Sequence, residues 1–91
     1  MCRNIKTLFN FAPPATEDEI RAAALQFVRK ISGVNRPSQA NHAAFEQAVD
    51  AVAAASAALL GALVTRADPR ERAREALRAK ARSAVRFQLR A

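Results

Sequence analysis

Tryptophan and tyrosine are absent from this 91-residue chain, and it holds only two glycines, one cysteine and one histidine. Each shortage removes a function class. Two glycines cannot build a glycine-rich cradle for nucleotide phosphates, and no Gly/Ser linker divides the chain. One cysteine cannot form an intramolecular disulfide. His42 with Cys2 gives two zinc ligands where stable sites use three or four, and Glu46 is the only acid suitably spaced on the same helix. No serine–histidine–acid arrangement is present. The expectation is therefore no metal and no cofactor.

Long apolar runs are missing too. The longest, Ala51 to Val64, is interrupted by Ser56 and Gly61. As a helix it would reach about 21 Å, short of the ~18 or more apolar residues of a membrane span. Met1 to Ile20 contains no apolar stretch of signal-peptide type. The expectation is a cytoplasmic protein with no membrane span. Ninety-one residues leave room for one small domain with a modest core.

What the chain does have is alanine and arginine. Alanine accounts for 23 residues, so a nominal 51% hydrophobic content contains few large side chains. Of the net charge of +7, six fall in the last 26 residues, where nine basic side chains face three acidic ones. There Arg70, Arg74, Arg78, Arg82, Arg86 and Arg90 recur at every fourth position. Four residues is close to a helical turn, so the series predicts a basic ridge winding slowly around a helix.

Helix one has both ends written in the sequence. Thr16 and Glu19 form a capping box, and Pro13 and Pro14 keep the preceding chain extended. Ile20, Ala24, Phe27, Val28 and Ile31 share one face. Gly33 supplies a left-handed terminator, letting Val34 fold back onto Val28. Helix two follows the Asn35-Arg36-Pro37 turn, with Phe45, Val49, Val52, Leu59, Leu60 and Leu63 as its core stripe. Ser56 lies in that stripe, its hydroxyl placed to bond the Val52 carbonyl. Glu46, Gln47 and Asp50 give its first half a polar back. The second half has none, because Ala54, Ala58 and Ala62 with Gly61 line that side. Either helix three or a second copy of the chain must cover this face, and in a symmetric homodimer it would meet itself.

Helix three opens on Asp68-Pro69-Arg70-Glu71, a capping aspartate followed by a first-turn proline. Its apolar row, Ala73, Leu77, Ala81, Val85 and Leu89, lies about 100° from the arginines. Before Pro13, the apolar Ile5, Leu8, Phe9 and Phe11 form either a helical turn or an extended strap over helices one and two. The predicted fold is all-α: a single small three-helix domain over 1–91, with an N-terminal apolar strap at 1–15. Its helices span 16–32, 38–65 and 69–88.

Two places could carry function. The six arginines, with Arg72 and Lys80, could neutralise phosphates of a nucleic acid or dock on an acidic protein surface. Phe87 is the only aromatic near them, so sequence-specific readout is not expected. The plainer reading is a solvated helix face partly neutralised by Glu71 and Glu75. The other place is the N-terminus. Removal of Met1 would leave Cys2 with amine and thiol on adjacent carbons, beside Arg3, Asn4 and Lys6, whose cations favour the thiolate. The plainer reading there is a small side chain within the strap. The expectation is a non-enzymatic binding or adaptor module using the arginines. The alternative is an enzyme or metal-dependent protein built on Cys2-Arg3-Asn4.

The opening Met-Cys-Arg-Asn-Ile-Lys-Thr-Leu, then Asn10-Phe11-Ala12-Pro13-Pro14-Ala15-Thr16 and Glu19 through Lys30 to Ser32-Gly33, resembles a bacterial family. It is the domain-of-unknown-function family twenty-two seventy-seven. The likeness covers roughly the first two thirds of the chain and continues more loosely into the basic tail. Ala12 stands where the family pattern suggests an acid before the two prolines. The resemblance implies a small bacterial protein and supplies no catalytic residues to carry over.

Overall fold

A computed structural model describes the backbone of residues 5–90 and the side chains of residues 5–84. In chain order these form strand β1 (Phe11–Ala12), helix α1 (Glu17–Ser32), a 3-10 turn (Gln39–Asn41), helix α2 (His42–Ala62), strand β2 (Arg70–Glu71) and helix α3 (Arg72–Arg90). The mostly helical, three-helix architecture agrees with the sequence. The two short strands are additional.

Helix α1 starts as its sequence dictates. The Thr16 hydroxyl accepts the Glu19 N–H at 3.2 Å, and Glu19 Oε1 accepts the Thr16 N–H at 3.0 Å. It stops at Gly33, whose φ of 72° is left-handed and whose N–H donates to the Arg29 carbonyl. Val34 then packs against the core cluster that contains Val28.

Helices α1 and α2 pair as an antiparallel hairpin. Its buried residues are Ile20, Ala24 and Val28 from α1 and Phe45 and Val49 from α2. Both sets step by four, as helices do when their ridges interlock. Arg21 fastens the edge of this hairpin. Its guanidinium donates to Asp50 at 2.6 Å and to Glu46 at 3.2 Å, and these two acids hold its proton more tightly than usual, Asp50 foremost. Glu46 and Asp50 were expected on a solvated back face; they instead join the helices.

The expected stripes are longer than the buried ones. Phe27 and Ile31 are exposed on α1, as are Leu59 and Leu63 on α2. For α2 the reason is length. It has 21 residues against 16 in α1, so its last turns run past the start of α1. There the extended strap is its neighbour: Leu8, Phe9 and Phe11 line one hollow with Ile20, Ala57, Leu60 and Gly61. Ser56 bonds the Val52 carbonyl as anticipated, at 2.7 Å. Gln39–Ala62 is a 24-residue helical stretch with an 18-residue window of mean hydropathy 1.3, long and apolar enough by composition to cross a membrane and longer than the run expected from sequence. In this hairpin it is one wall of the core, with Phe45 and Val49 buried.

The third helix differs most from expectation. Asp68 and Pro69 do not open it, because Arg70 and Glu71 are extended and pair in parallel with Phe11 and Ala12. The helix begins at Arg72. Helix two likewise starts later than Ser38, whose side chain makes no capping bond, and it ends at Ala62, with Leu63 already extended. Helix α3 meets the hairpin at its first residue, Arg72, which bonds Glu19 of α1, and among the described residues it shows no extensive packing on α1 or α2 beyond that point. It leaves Ala54, Ala58 and Ala62 exposed, as is its own Leu77.

Because the core is this small, each member matters. Phe45→Ala should cost about 3–5 kcal/mol, while Ile31→Ala, at a side chain 72% exposed, should change stability by less than about 0.5 kcal/mol. Urea denaturation followed by far-UV circular dichroism checks both.

Candidate polyanion-binding helix

The root of helix α3 is built from three contacts. Asn10 makes the first. Its φ of 62° is left-handed, a conformation asparagine tolerates better than most residues. From there its carbonyl accepts the Arg70 N–H at 2.7 Å. Its side-chain amide donates to the carbonyls of Asp68 at 3.2 Å and Ala67 at 3.4 Å. The second contact is aromatic. The Arg70 guanidinium lies 5.6 Å from the centre of the Phe11 ring, and that of Arg72 lies 5.9 Å from it, both within cation–π range.

Arg72 makes the third and strongest contact. Its two terminal nitrogens fork onto the Glu19 carboxylate at 2.8 and 2.9 Å, and its Nε donates to the Pro13 carbonyl at 2.9 Å. All five guanidinium N–H groups point along a planar fork that matches a carboxylate. Glu19 thus serves two elements at once: it closes the capping box of α1 and receives the first residue of α3. These bonds hold its carboxyl at about 2, against an ordinary 4.5, chiefly through Arg72 and then through the Thr16 backbone.

Beyond the root the ridge divides into used and unused cations. Arg70 is on β2 and stacked on Phe11, so it is not part of the helical series. Arg74 lies 3.9 Å from Glu71 and Arg78 3.3 Å from Glu75, both exposed pairs one turn apart. Such pairs are worth little and exchange readily with water. Lys80 and Arg82 are exposed, with no ion-pair partner among the described residues. Arg86 and Arg90 lie on the α3 backbone, with side chains outside the described residues. The basic row on the helix therefore starts at Arg74, and Arg72, read from sequence as one more phosphate contact, is taken by Glu19.

The N-terminal candidates are not brought into this arrangement. Cys2, Arg3 and Asn4 lie outside the described residues, and Lys6 is exposed on the strap. His42 is exposed at the start of α2. Among the described residues no three or more His, Cys, Asp or Glu side chains are grouped as a metal site would need. Sequence reasoning missed Asn10, and it missed Arg72 as an anchor. The signal for Arg72 was faint: one arginine at the wrong phase, outside the four-residue series.

The fold and root geometry define a class: a small helical hairpin carrying a cationic helix fixed at one end. The chain belongs to a family described as uncharacterized conserved proteins (DUF2277), whose model matches residues 1–78. The match takes in the strap, the hairpin, the strand pair and the start of α3 through Arg78. No curated protein and no solved structure matches the chain.

The Glu19 carboxyl titrates lower in the folded chain than its ordinary value, so its stabilising contribution is complete above about pH 4.5 and lost as pH falls through about 2. Arg72→Gln should raise the Glu19 titration midpoint toward 4.5, as read by side-chain carboxyl NMR. The gap in urea midpoint between wild type and Arg72→Gln should close over that same interval.

Proposed function

We propose that the protein is a non-enzymatic binding module that docks α3 against a polyanion, nucleic acid in the first instance, through Arg74, Arg78, Lys80 and Arg82. The observation that carries this reading is the disposition of α3. A cationic helix extends from a pinned root, shows no extensive packing on either neighbouring helix among the described residues, and keeps Arg74, Arg78, Lys80 and Arg82 exposed. Arginine and lysine on such a surface neutralise phosphates, and each phosphate neutralised releases condensed counterions. Positions Arg86 and Arg90 extend the same row.

Binding of this kind tolerates sequence. Helix α3 offers no tryptophan or tyrosine for stacking, and the contacts would be to backbone phosphates. An acidic protein surface presents the same charge at lower density and would bind with a shallower salt dependence.

Anisotropy of labelled DNA and RNA, read across a salt series, tests the proposal. The full chain is compared with Arg74→Gln/Arg78→Gln/Lys80→Gln/Arg82→Gln, which keeps the Arg72 anchor. Wild type should bind with an affinity that falls steeply with salt. The variant should lose up to about 0.9 of log–log slope for each phosphate contact removed. Equal binding by both chains would overturn the assignment.

A further inference from the structure

Two surfaces of this molecule lack partners, and they match. The first is a trough along the hairpin. Three hollows, of about 290, 290 and 370 Å³, adjoin one another: the first two share Asp18 and Arg21, and the last two share Ile20 and Ala57. Together they run from Leu25 and Val49 past Ala53, Ala54 and Ala57 to Leu60. That is 12 residues of α2 from Val49 to Leu60, a span of about 17 Å at 1.5 Å per residue. Between α1 and α2 the walls are largely apolar, and at the Leu60 end the strap residues Leu8, Phe9 and Phe11 form the far wall. The rim carries three acids, Glu17, Asp18 and Glu46, and one cation, Arg21, which lines the first two hollows. Glu46 is tied to Arg21, whereas Glu17 and Asp18 are exposed and have no ion-pair partner among the described residues.

The second surface is the apolar row of α3. Ala73, Leu77 and Ala81 are exposed, Leu77 to 67%. Arg74 and Arg78 flank that row, each following an apolar position by one residue. Helix α3 is therefore an amphipathic helix with a narrow apolar edge and cations beside it. The trough has a narrow apolar floor with anions beside it. Apolar seam meets apolar seam, and positive flank meets negative rim.

One chain does not unite the two surfaces itself. The Arg72 fork and the strand pair fix the root of α3, and beyond Arg72 the described residues show no extensive packing of the helix on α1 or α2. We propose that the occupant of the trough is α3 of a second copy. Each of two chains lays its α3 along the other's α1–α2 trough, with Leu77 over the alanines and Arg74 and Arg78 against Glu17 and Asp18. The exchange is reciprocal, so a two-fold axis closes the assembly as a dimer. It requires no polyanion, and it covers Leu77 together with the open alanine surface of α2.

Charge exchange tests this without any other ligand. Wild type should sediment as a dimer at micromolar to sub-millimolar concentration, and Leu77→Asp should halve that mass. Glu17→Lys/Asp18→Lys and Arg74→Glu/Arg78→Glu should each be monomeric alone, with the dissociation constant raised about tenfold or more. Mixed one to one, they should regain the dimer, because reversed trough meets reversed helix on one side and native meets native on the other. Far-UV circular dichroism confirms that each variant is folded. A monomeric wild type across the range overturns the proposal. So does a dimer that survives both charge reversals, as one formed by Ala54, Ala58 and Ala62 meeting themselves would.

Discussion

The fork between Arg72 and Glu19 is the strongest tie between α3 and the hairpin. The strand pair and Asn10 hold the chain as far as Arg70 and Glu71, and the fork carries that hold into the first turn of the helix. With it, the start of α3 and the start of α1 share one carboxylate. The fork lies at a half-exposed position, where ion pairs are usually weak. Its geometry compensates: two parallel N–H···O bonds, a third from Nε to the Pro13 carbonyl and the Phe11 ring alongside. Several modest contacts made by one rigid side chain restrict its freedom once and share that restriction between them.

That economy suits a chain with little core. Among the described residues five are buried, and only Phe45 of these is aromatic. Polar contacts supplement this core: Arg21 joins α1 to α2, and Glu19 joins α1 to α3. Large apolar side chains left exposed, such as Leu59, Leu77 and Val64, show how far the chain is from covering its own hydrophobic surface. A molecule of this size and composition is well served by a second surface to lean on. The proposed polyanion and the proposed second copy would each use α3, and both would engage Arg74 and Arg78, the second copy adding the apolar edge at Leu77.

Local signals were legible in the sequence, and long-range ones were not. Thr16, Glu19 and Gly33 act within a few residues of their partners, so their roles follow from spacing alone. The Ser56 bond is equally local. Asn10 and Arg72 act across more than 50 residues, and nothing in the periodicity of α3 distinguishes an anchoring arginine from a solvated one. The strand pair was hidden for a related reason. Two residues on each side are too short to show alternation, and Asp68-Pro69 is as good a helix opening as any until Asn10 draws the next backbone amide away. The apolar stripes of α1 and α2 were read correctly as stripes, but how much of each is covered depends on where the neighbouring helix ends. The candidate site was legible as a charge pattern and not as a geometry.

The Arg21 bridge has a bearing on axial position. Sliding α2 by one turn would move Phe45 from its place in the core and bring Asn41 or Ala53 into the buried row. Arg21 adds a polar preference for the same alignment, because it grips two acids spaced by four residues, Glu46 and Asp50. A slip in either direction leaves one nitrogen facing His42 or Ala54 in place of a carboxylate. The bridge therefore works as a detent, holding at the surface the alignment that Phe45 selects in the core.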